Sequence, residues 1–374
     1  MFNRWLHRTG WSAVLLVLVV RWSSEQVPSA LPTGSLARLP RTNLLVFHDR
    51  NGEVRPVKTK SDWLKRRAEI RRGFESIAGA LPGREKRCQL DVRVEATTNC
   101  GSYERRLISY QSEPGSRVPA YLCIPTAALE SRKKFPAILC LHPTDMQYGH
   151  RVTVEKLRDN YRAYAHDLAE RGFVTLAPAY PVMANYQPDL EALGWQSGTL
   201  KAVWDNLRGL DLLDSLPFVK HGEYGAIGHS LGGHNAIYTA LFDKRIRVVV
   251  SSCGFDSFLD YYKGDPANWQ PERGWCQTRY MLKLADYRGR LAEIPFDFHE
   301  LLGALAPRPV FVNAPLGDSN FQAHSVDEVA AAASAVYRLY GAEENLRVEH
   351  PPGGHDFPDE VREAAYRLLE EKLR

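Results

Sequence analysis

The sequence predicts an α/β fold with a doubly wound, mostly parallel sheet and helices on both of its faces. Three observations support this prediction: continuous apolar runs, amphipathic segments between them, and a chain of 374 residues that can bury a large core. Strands that are covered on both faces are apolar throughout, whereas half-exposed strands alternate with polar residues. Strands that alternate with helices form βαβ units, in which the strands run parallel.

The apolar runs and the amphipathic segments alternate from residue 135 onward. We assign strands to residues 137–141, 173–177, 224–227, 247–250, 309–312 and 346–348. We assign helices to residues 154–171, 199–216, 231–242, 327–340 and 358–373. Earlier in the chain, residues 90–96, 105–111 and 119–125 are typical of strands and suggest an antiparallel start to the sheet.

We expect the chain to consist of three regions. Residues 1–30 carry a basic flank and then an apolar run from Trp11 to Val20. The run is short for a bilayer span of about 20 residues, which favours a secretory signal peptide, with an uncleaved membrane anchor as the alternative. We therefore expect an exported protein, periplasmic or extracellular. Residues 31–116 are assigned to an N-terminal extension with a helix capped by Ser61, and residues 117–374 to the main domain.

One insertion interrupts the alternation of strands and helices. Residues 254–295 lie between two predicted strands, form an unusually long connection and are rich in aromatic side chains. Two interpretations remain open for this segment. It is either a cap or rim over the functional site, or an excursion that packs on the sheet edge and contacts no substrate.

Charge and cysteine content limit the partners. The formal net charge is +4 and the basic residues are scattered, so we expect no nucleic-acid partner. Six cysteines in an exported protein permit disulfides, with Cys88 and Cys100 as the candidate pair and Cys140 as a buried thiol. No CxxC motif or Cys/His cluster has zinc spacing, and we expect neither a metal nor a cofactor. The oligomeric state is left open.

The motif that indicates a catalytic function is Gly228-His229-Ser230-Leu231-Gly232. It follows a predicted strand and precedes a predicted helix, which is the context of a G-x-S-x-G nucleophile elbow. The sharp turn would expose the Ser230 hydroxyl at the carboxyl edge of the sheet. The Leu231 N–H, at the start of the helix, would stabilise an oxyanion.

A serine nucleophile needs a base, and His355 is the candidate. It follows a glycine pair after the last predicted strand, so it can reach toward the serine. His234 lies on the same helix as Ser230 and is expected to pack instead of reacting. For His299 and His350 we favour hydrogen-bonded structural roles.

The acid that orients the base is expected after the strand at 309–312. Asp318 lies there, and Asp297 before the same strand is the rival. For either carboxylate a helix cap is the alternative role. The second oxyanion donor is expected in the loop at residues 142–145, where the Thr144 N–H is the candidate because Pro143 has no N–H.

The residues 226–236, 306–309 and 354–358 resemble the dienelactone hydrolase-like and acetylxylan esterase-like branch of the α/β-hydrolases, which is also similar to prolyl oligopeptidase catalytic domains. The resemblance covers residues 117–374. Dienelactone hydrolases use a cysteine nucleophile, whereas this chain has Ser230, and there is no room for the propeller of prolyl oligopeptidases. Glucuronoyl esterases resemble residues 295–309 but carry an arginine in the elbow where this chain has Leu231-Gly232, so they are ranked as a poorer fit.

The resemblance implies a serine hydrolase that cleaves a small carboxylic ester through an acyl-enzyme, for example an O-acetyl ester on a carbohydrate. The catalytic residues would be Ser230, Asp318 and His355, with Leu231 and Thr144 in the oxyanion hole. One alternative is a peptidase or amidase with the same residues. The other is an inactive hydrolase fold that binds a partner or a ligand.

Overall fold

The computed structural model describes residues 37–158 and 161–374, so the predicted signal peptide or anchor lies outside the described residues. The strands are β1 Val46–His48, β2 Val54–Pro56, β3 Arg93–Asn99, β4 Tyr103–Glu113, β5 Ser116–Pro125, β6 Phe135–Leu141, β7 Val174–Pro178, β8 Val219–His229, β9 Ile246–Ser252, β10 Val310–Asn313 and β11 Leu346–Glu349. The helices are α1 Lys60–Ala78, α2 Thr126–Glu130, α3 Tyr164–Glu170, α4 Gly198–Ser215, α5 Leu231–Phe242, α6 Phe298–Leu305, α7 Ala323–Tyr340 and α8 Asp359–Leu373. Within the described ranges, none of the helices has the length and apolar character that a membrane span requires.

The main sheet has nine strands in the order β11-β10-β9-β8-β6-β7-β5-β4-β3. The strands from β11 to β7 pair in parallel, and β5, β4 and β3 extend the sheet in antiparallel pairs. The predicted doubly wound, mostly parallel sheet is confirmed. Because β6 lies between β7 and β8, the order of strand addition reverses at this point. Sheets of this kind bind ligands in the crevice at the carboxyl ends of such strands.

Two apolar cores cover the two faces of the sheet. Along β6, Ala137, Leu139 and Leu141 face one core, whereas Ile138 and Cys140 face the other. The first core also contains side chains of α1, α4, α5, α6 and α7, and the second contains side chains of α3 and α8. Both faces of the strand are therefore buried, which explains why its sequence is continuously apolar.

The N-terminal part differs from the prediction in its details. Helix α1 begins two residues earlier than expected, and its cap is Thr59 instead of Ser61. The Thr59 hydroxyl accepts a hydrogen bond from the Asp62 N–H, and the Asp62 carboxylate accepts one from the Thr59 N–H, which forms a capping box. The small sheet of β1 and β2 and the short helices α2 and α6 were not predicted.

The predicted helix at residues 154–171 is much shorter in the structure. Only Tyr164–Glu170 is α-helical, and Gly149–Thr153 forms a 3₁₀ turn before it. Residues 154–158 and 161–163 lie outside any helix, so much of the predicted helix is absent from the described residues.

The predicted Cys88–Cys100 disulfide is wrong, because all six cysteines are free thiols. Cys88 lies before β3 and Cys100 lies in the turn after it. A seven-residue strand extends over roughly 23 Å at about 3.3 Å per residue, so it separates the two thiols far beyond bonding distance. The prediction that Cys140 is a buried thiol is confirmed.

Candidate active site

Ser230 occupies the turn between β8 and α5. Its backbone φ of 54° and ψ of −119° lie in a region that residues with a Cβ rarely adopt. The turn is held because the Ser230 N–H donates to the Ser252 carbonyl of the neighbouring strand at 2.8 Å. The strained geometry is thus fixed by the sheet itself, as expected for a nucleophile elbow.

The glycines around Ser230 are required by close backbone contacts. A Cβ on Gly232 would lie 1.9 Å from the Leu141 carbonyl oxygen, and a Cβ on Gly228 would lie 2.2 Å from the Gly232 carbonyl group. Only hydrogen fits in these two places, so helix α5 can start directly against the ends of β6 and β8. The pattern of small residues in the motif is therefore a consequence of packing.

His355 and Asp318 are brought together from two loops at the carboxyl edge of the sheet. Nδ1 of His355 donates to Asp318, at 2.9 Å from Oδ2 and 3.1 Å from Oδ1. The N–H groups of Asn320 and Phe321 also donate to the Asp318 carboxylate. With the proton held on Nδ1, the other ring nitrogen of His355 can accept one.

The charge of Asp318 is stabilised by this arrangement. Burial of the carboxyl group tends to raise its pKa, but the hydrogen bond and charge of His355 outweigh burial and hold the pKa of Asp318 below its usual value. Asp318 therefore remains ionised and can stabilise a positive charge on His355.

Ser230 and His355 line the same cavity, which has a volume of about 320 Å³. Its walls are Pro143, Thr144, Asp145, Met146, Val152, Arg158, Arg162, His229, Ser230 and His355. A larger surface cavity of about 650 Å³ contains neither Ser230 nor His355 and is lined mainly by charged side chains. We identify the smaller cavity as the candidate active site because it contains the strained serine and the base.

The loop at residues 142–145 borders this cavity. Helix α5 packs against its first residues, since Gly232 touches the end of β6. The Thr144 hydroxyl is 2.9 Å from the Tyr280 hydroxyl, and the side chain of Thr144 is exposed toward the cavity. Both predicted oxyanion donors, Leu231 and Thr144, are therefore next to the site, one at the start of α5 and one on the loop.

The loop of His355 is held by two residues, Arg162 and Asn313, that the sequence analysis did not identify. Arg162 donates to the Asp356 carboxylate at 2.6 Å and to the His355 carbonyl at 3.3 Å. The Asn313 side chain donates to the Asp356 carbonyl at 2.8 Å. No motif marks these contacts, because Arg162 is nearly 200 positions from His355 and lies where a regular helix was predicted.

The rival residues lie away from the cavity. The Asp297 carboxylate caps α6 and is bound by the Arg41 guanidinium at 2.9 Å and the Ser257 hydroxyl at 3.0 Å. His234 contacts the Gly254 carbonyl at 3.0 Å and packs on Trp275. The two remaining rivals, His299 and His350, also lie outside the cavity lining. Asp297 is thus a helix cap, and the geometry selects Asp318 as the partner of His355.

The insertion at residues 254–295 folds into short 3₁₀ turns around an aromatic core. Trp269, Trp275 and Met281 are buried in it. None of its residues lines the cavity of Ser230, yet it reaches the margin of the site through the contact between Tyr280 and Thr144. The segment thus combines features of both interpretations, since its aromatic side chains pack into the core against α5 and α6 and one of its residues supports a wall of the site.

One group of potential metal ligands occurs in the described part of the chain. The ligand atoms of Cys253, Asp318 and His355 lie within 4.8 Å of one another. Asp318 and His355 are already joined by a hydrogen bond, and burial raises the pKa of the Cys253 thiol well above its usual value. The group is accounted for by the acid–base pair and a neutral buried thiol.

Comparisons with known proteins show similarity to hydrolases and esterases. A family model of glucuronyl esterases from fungi matches residues 190–341, which include Ser230 and Asp318. A Bacillus subtilis protein described as a hydrolase, YtaP, is 26% identical over 318 residues, 82% of this chain and 100% of its own length. The 4-O-methyl-glucuronoyl methylesterase of Hypocrea jecorina is 29% identical over 139 residues, 33% of this chain and 29% of its own length.

Among solved structures, a glucuronoyl esterase from Solibacter usitatus has the same fold. Its TM-score is 0.70 at 20% identity, over 90% of this chain and 99% of that chain. The chain is an α/β-hydrolase, as the sequence predicts. Within that superfamily it is a carboxylic ester hydrolase. The family match covers residues 190–341, a longer region than residues 295–309, where the sequence resembles glucuronoyl esterases.

Proposed function

We propose that this ester hydrolase uses Ser230 as nucleophile, His355 as general base and Asp318 as the acid that orients His355. The observation that carries the proposal is the hydrogen bond from Nδ1 of His355 to Asp318, beside a strained serine in the same cavity. Nothing else in the cavity lining combines a nucleophile with an oriented base. Asp145, the one acid in that lining, is already bound to Arg158 at 2.8 Å.

The reaction begins when Nε2 of His355 removes the proton of the Ser230 hydroxyl as its oxygen attacks the ester carbonyl. The N–H groups of Leu231 and Thr144 stabilise the tetrahedral oxyanion. His355 then protonates the departing alcohol, which leaves an acyl group on Ser230. Water, activated by the same base, releases the acid and restores the serine. Asp318 stabilises the imidazolium in both steps.

We infer that the substrate is an ester on a carbohydrate, and that an alkyl ester of a uronic acid is favoured over an O-acetyl group. The relatives support this preference, since the matching family and two of the proteins above are named as esterases of glucuronic acid. The cavity volume of about 320 Å³ is at the lower end of the ordinary range for small-molecule sites, about 300–1,000 Å³. A short acyl or alkyl group beside one sugar fits that size better than a long chain.

Export to the periplasm or outside the cell completes the proposal. Its support is the basic flank and short apolar run at the N-terminus. Sequencing of the N-terminus of the protein recovered from its native host would show a start after residue 20 if the segment is cleaved. An intact N-terminus on a membrane-bound protein would identify an anchor instead.

The proposal is tested with a panel of substrates and Ser230→Ala beside the wild type. The panel contains the methyl ester of glucuronic acid, an acetylated xylose, p-nitrophenyl acetate and butyrate, and an aminoacyl p-nitroanilide. We expect the uronate methyl ester to have the highest kcat/KM and the variant to lose activity by several orders of magnitude. Preference for the anilide would identify an amidase. Equal activity of the wild type and the variant would refute the nucleophile.

A further inference from the structure

The His142 side chain connects the ends of the two strands β6 and β7. Its Nε2 lies 2.9 Å from the backbone nitrogen of Tyr180, and its Nδ1 lies 2.7 Å from the Pro143 carbonyl oxygen. A backbone N–H can only donate, so Nε2 must be the unprotonated acceptor. The proton of the neutral ring is then on Nδ1, which donates to the Pro143 carbonyl.

This bond fixes the direction of the next N–H group. The peptide between Pro143 and Thr144 is planar, and in a trans peptide the carbonyl and the N–H point to opposite sides. A carbonyl held against the imidazole therefore turns the Thr144 N–H away from the ring. Pro143 itself has no N–H, so this peptide supplies the first donor after His142 in the loop that borders the cavity of Ser230.

We propose that His142 is a positioning residue, which holds the Pro143 carbonyl so that the Thr144 N–H faces the oxyanion formed on the acyl carbon. The inference rests on the proposed function, because it assigns a task to Thr144 in that reaction. Oxyanion donors act through geometry that is fixed before the reaction, and a donor free to rotate away loses most of its effect. His142 supplies this fixation from behind the loop and does not touch the substrate.

The surroundings of His142 keep the ring in the form that this role needs. The side chain is buried, and burial lowers its pKa to about 4, although the charge of Asp145 and the bond to the Pro143 carbonyl act in the opposite direction. The ring is therefore neutral at ordinary pH, and Nε2 remains an acceptor for the Tyr180 N–H.

His150 is a matched control within the same region. It is equally buried, its ring centre is 6.3 Å from that of His142, and neither of its nitrogens has a hydrogen-bond partner among the described residues. Burial lowers the pKa of His150 as well, to about 3. The two histidines thus share burial and charge state but differ in the bond to the loop.

The test separates the two bonds of His142 by substitution. In His142→Asn an amide nitrogen can replace Nδ1 as donor, whereas in His142→Gln an amide oxygen can replace Nε2 as acceptor. We expect His142→Asn to keep kcat within about five-fold of the wild type. We expect His142→Gln to lower kcat by about 10²-fold with little change in KM, approaching the 10²–10³-fold loss for a missing oxyanion donor. His150→Leu should leave kcat unchanged.

Equal kcat values for the Asn and Gln variants, whether high or low, would overturn the proposal, as would an effect mainly on KM. Because these variants could fail to fold, the tautomer is also measured in the wild type through the ¹⁵N chemical shifts of the imidazole. A proton on Nδ1 supports the proposal, and a proton on Nε2 overturns it. Full activity of Ser230→Ala would refute the proposed function itself, whereas an inactive Ser230→Ala with an unaffected His142→Gln refutes the positioning role alone.

Discussion

The elbow around Ser230 and the loop at residues 142–145 face the same cavity but are held in different ways. The elbow is fixed by backbone contacts, with Gly232 against the end of β6 and the Ser230 N–H bound to β9. The loop is fixed by side chains, from within by His142 and from the insertion by Tyr280. The turn of the nucleophile thus depends on backbone contacts, whereas the position of the proposed oxyanion donor depends on side chains.

This difference has a consequence for substitutions. A change in the elbow alters the backbone and threatens the fold, since the contact involves the central strands of the sheet. Substitution of His142 or Tyr280, which hold the loop, should leave the sheet intact and lower kcat only partly.

Substitution Gly232→Ala should prevent stable folding or cost more than about 3 kcal/mol, because the new Cβ would lie 1.9 Å from the Leu141 carbonyl oxygen. Urea denaturation followed by circular dichroism measures the loss. Gly354→Ala is the control, since its Cβ would have the Gly317 carbonyl at 3.8 Å as its nearest neighbour and should cost less than about 1 kcal/mol. Equal stability of the two variants would show that the elbow is not held by its backbone contacts.

Asp318 and Asp297 are the two candidates for the acid, and we expect their substitution to have different effects, on activity for Asp318 and on stability for Asp297. Asp318→Asn is expected to lower kcat by about 10³–10⁴-fold with a small change in stability, since it removes the partner that orients His355. Asp297→Asn should instead lower stability by about 2–4 kcal/mol, because it weakens a buried helix cap and the ion pair with Arg41, and leave kcat of the folded protein within about ten-fold. The opposite pattern would exchange the two roles.

Acid should destabilise the protein through its buried histidines. Burial lowers the pKa to about 4 for His142 and to about 3 for His150 and His234, from an ordinary value of 6.5. Each folded-state pKa is depressed, so the unfolded chain takes up protons first as the pH falls. Stability from these groups is complete above about pH 6.5 and is lost as the pH falls, down to about pH 4 for His142 and about pH 3 for His150 and His234, by about 1.4 kcal/mol per pH unit for each histidine.

Urea midpoints at pH 7.5, 6.0, 5.0 and 4.5 measure this dependence. His150→Leu should show a shallower loss than the wild type, because it removes one of the groups that take up protons on unfolding. A His150→Leu variant that loses stability as steeply as the wild type between pH 7.5 and 4.5 would contradict the depressed pKa of His150.

The smallest expected effect concerns the support of the loop by the insertion. Tyr280→Phe removes the hydroxyl that lies 2.9 Å from the Thr144 hydroxyl, and a neutral bond of this kind contributes about 0.5–1.5 kcal/mol. We expect kcat to fall by about three- to ten-fold with an unchanged sheet. Tyr262→Phe, on an exposed side chain of the same insertion, should have no effect on kcat. Identical kcat values for the two variants would show that the insertion does not support the site.

Sequence reasoning succeeded where local chemistry decides the structure. Helix α5 has the predicted bounds because an apolar strand, a glycine-rich turn and an apolar helix follow directly in β8 and α5. The pairing of His355 with Asp318 follows from the order of serine, acid and histidine along the chain, with Asp318 after the strand at residues 309–312 and His355 after the last strand. These inferences needed only order along the chain and the behaviour of parallel strands.

Sequence reasoning failed where tertiary contacts decide. Arg162 lies in a segment with helical periodicity, yet in the structure it precedes α3 and binds Asp356 and the carbonyl of His355. The Cys88–Cys100 pair was inferred from sequence proximity, whereas a whole strand separates the two thiols. Asp297 and Asp318 could not be distinguished with certainty because the Arg41 that binds Asp297 lies 256 positions earlier in the chain.

Covalent acylation of Ser230 is tested by labelling with a fluorophosphonate followed by mass spectrometry. The wild type, Ser230→Ala and His355→Ala are treated in parallel, and the modified peptide is sequenced. We predict one adduct per chain on Ser230, none in Ser230→Ala and much slower labelling in His355→Ala. A wild-type protein that hydrolyses esters but carries the adduct on another residue, or carries none, would show that Ser230 is not the nucleophile.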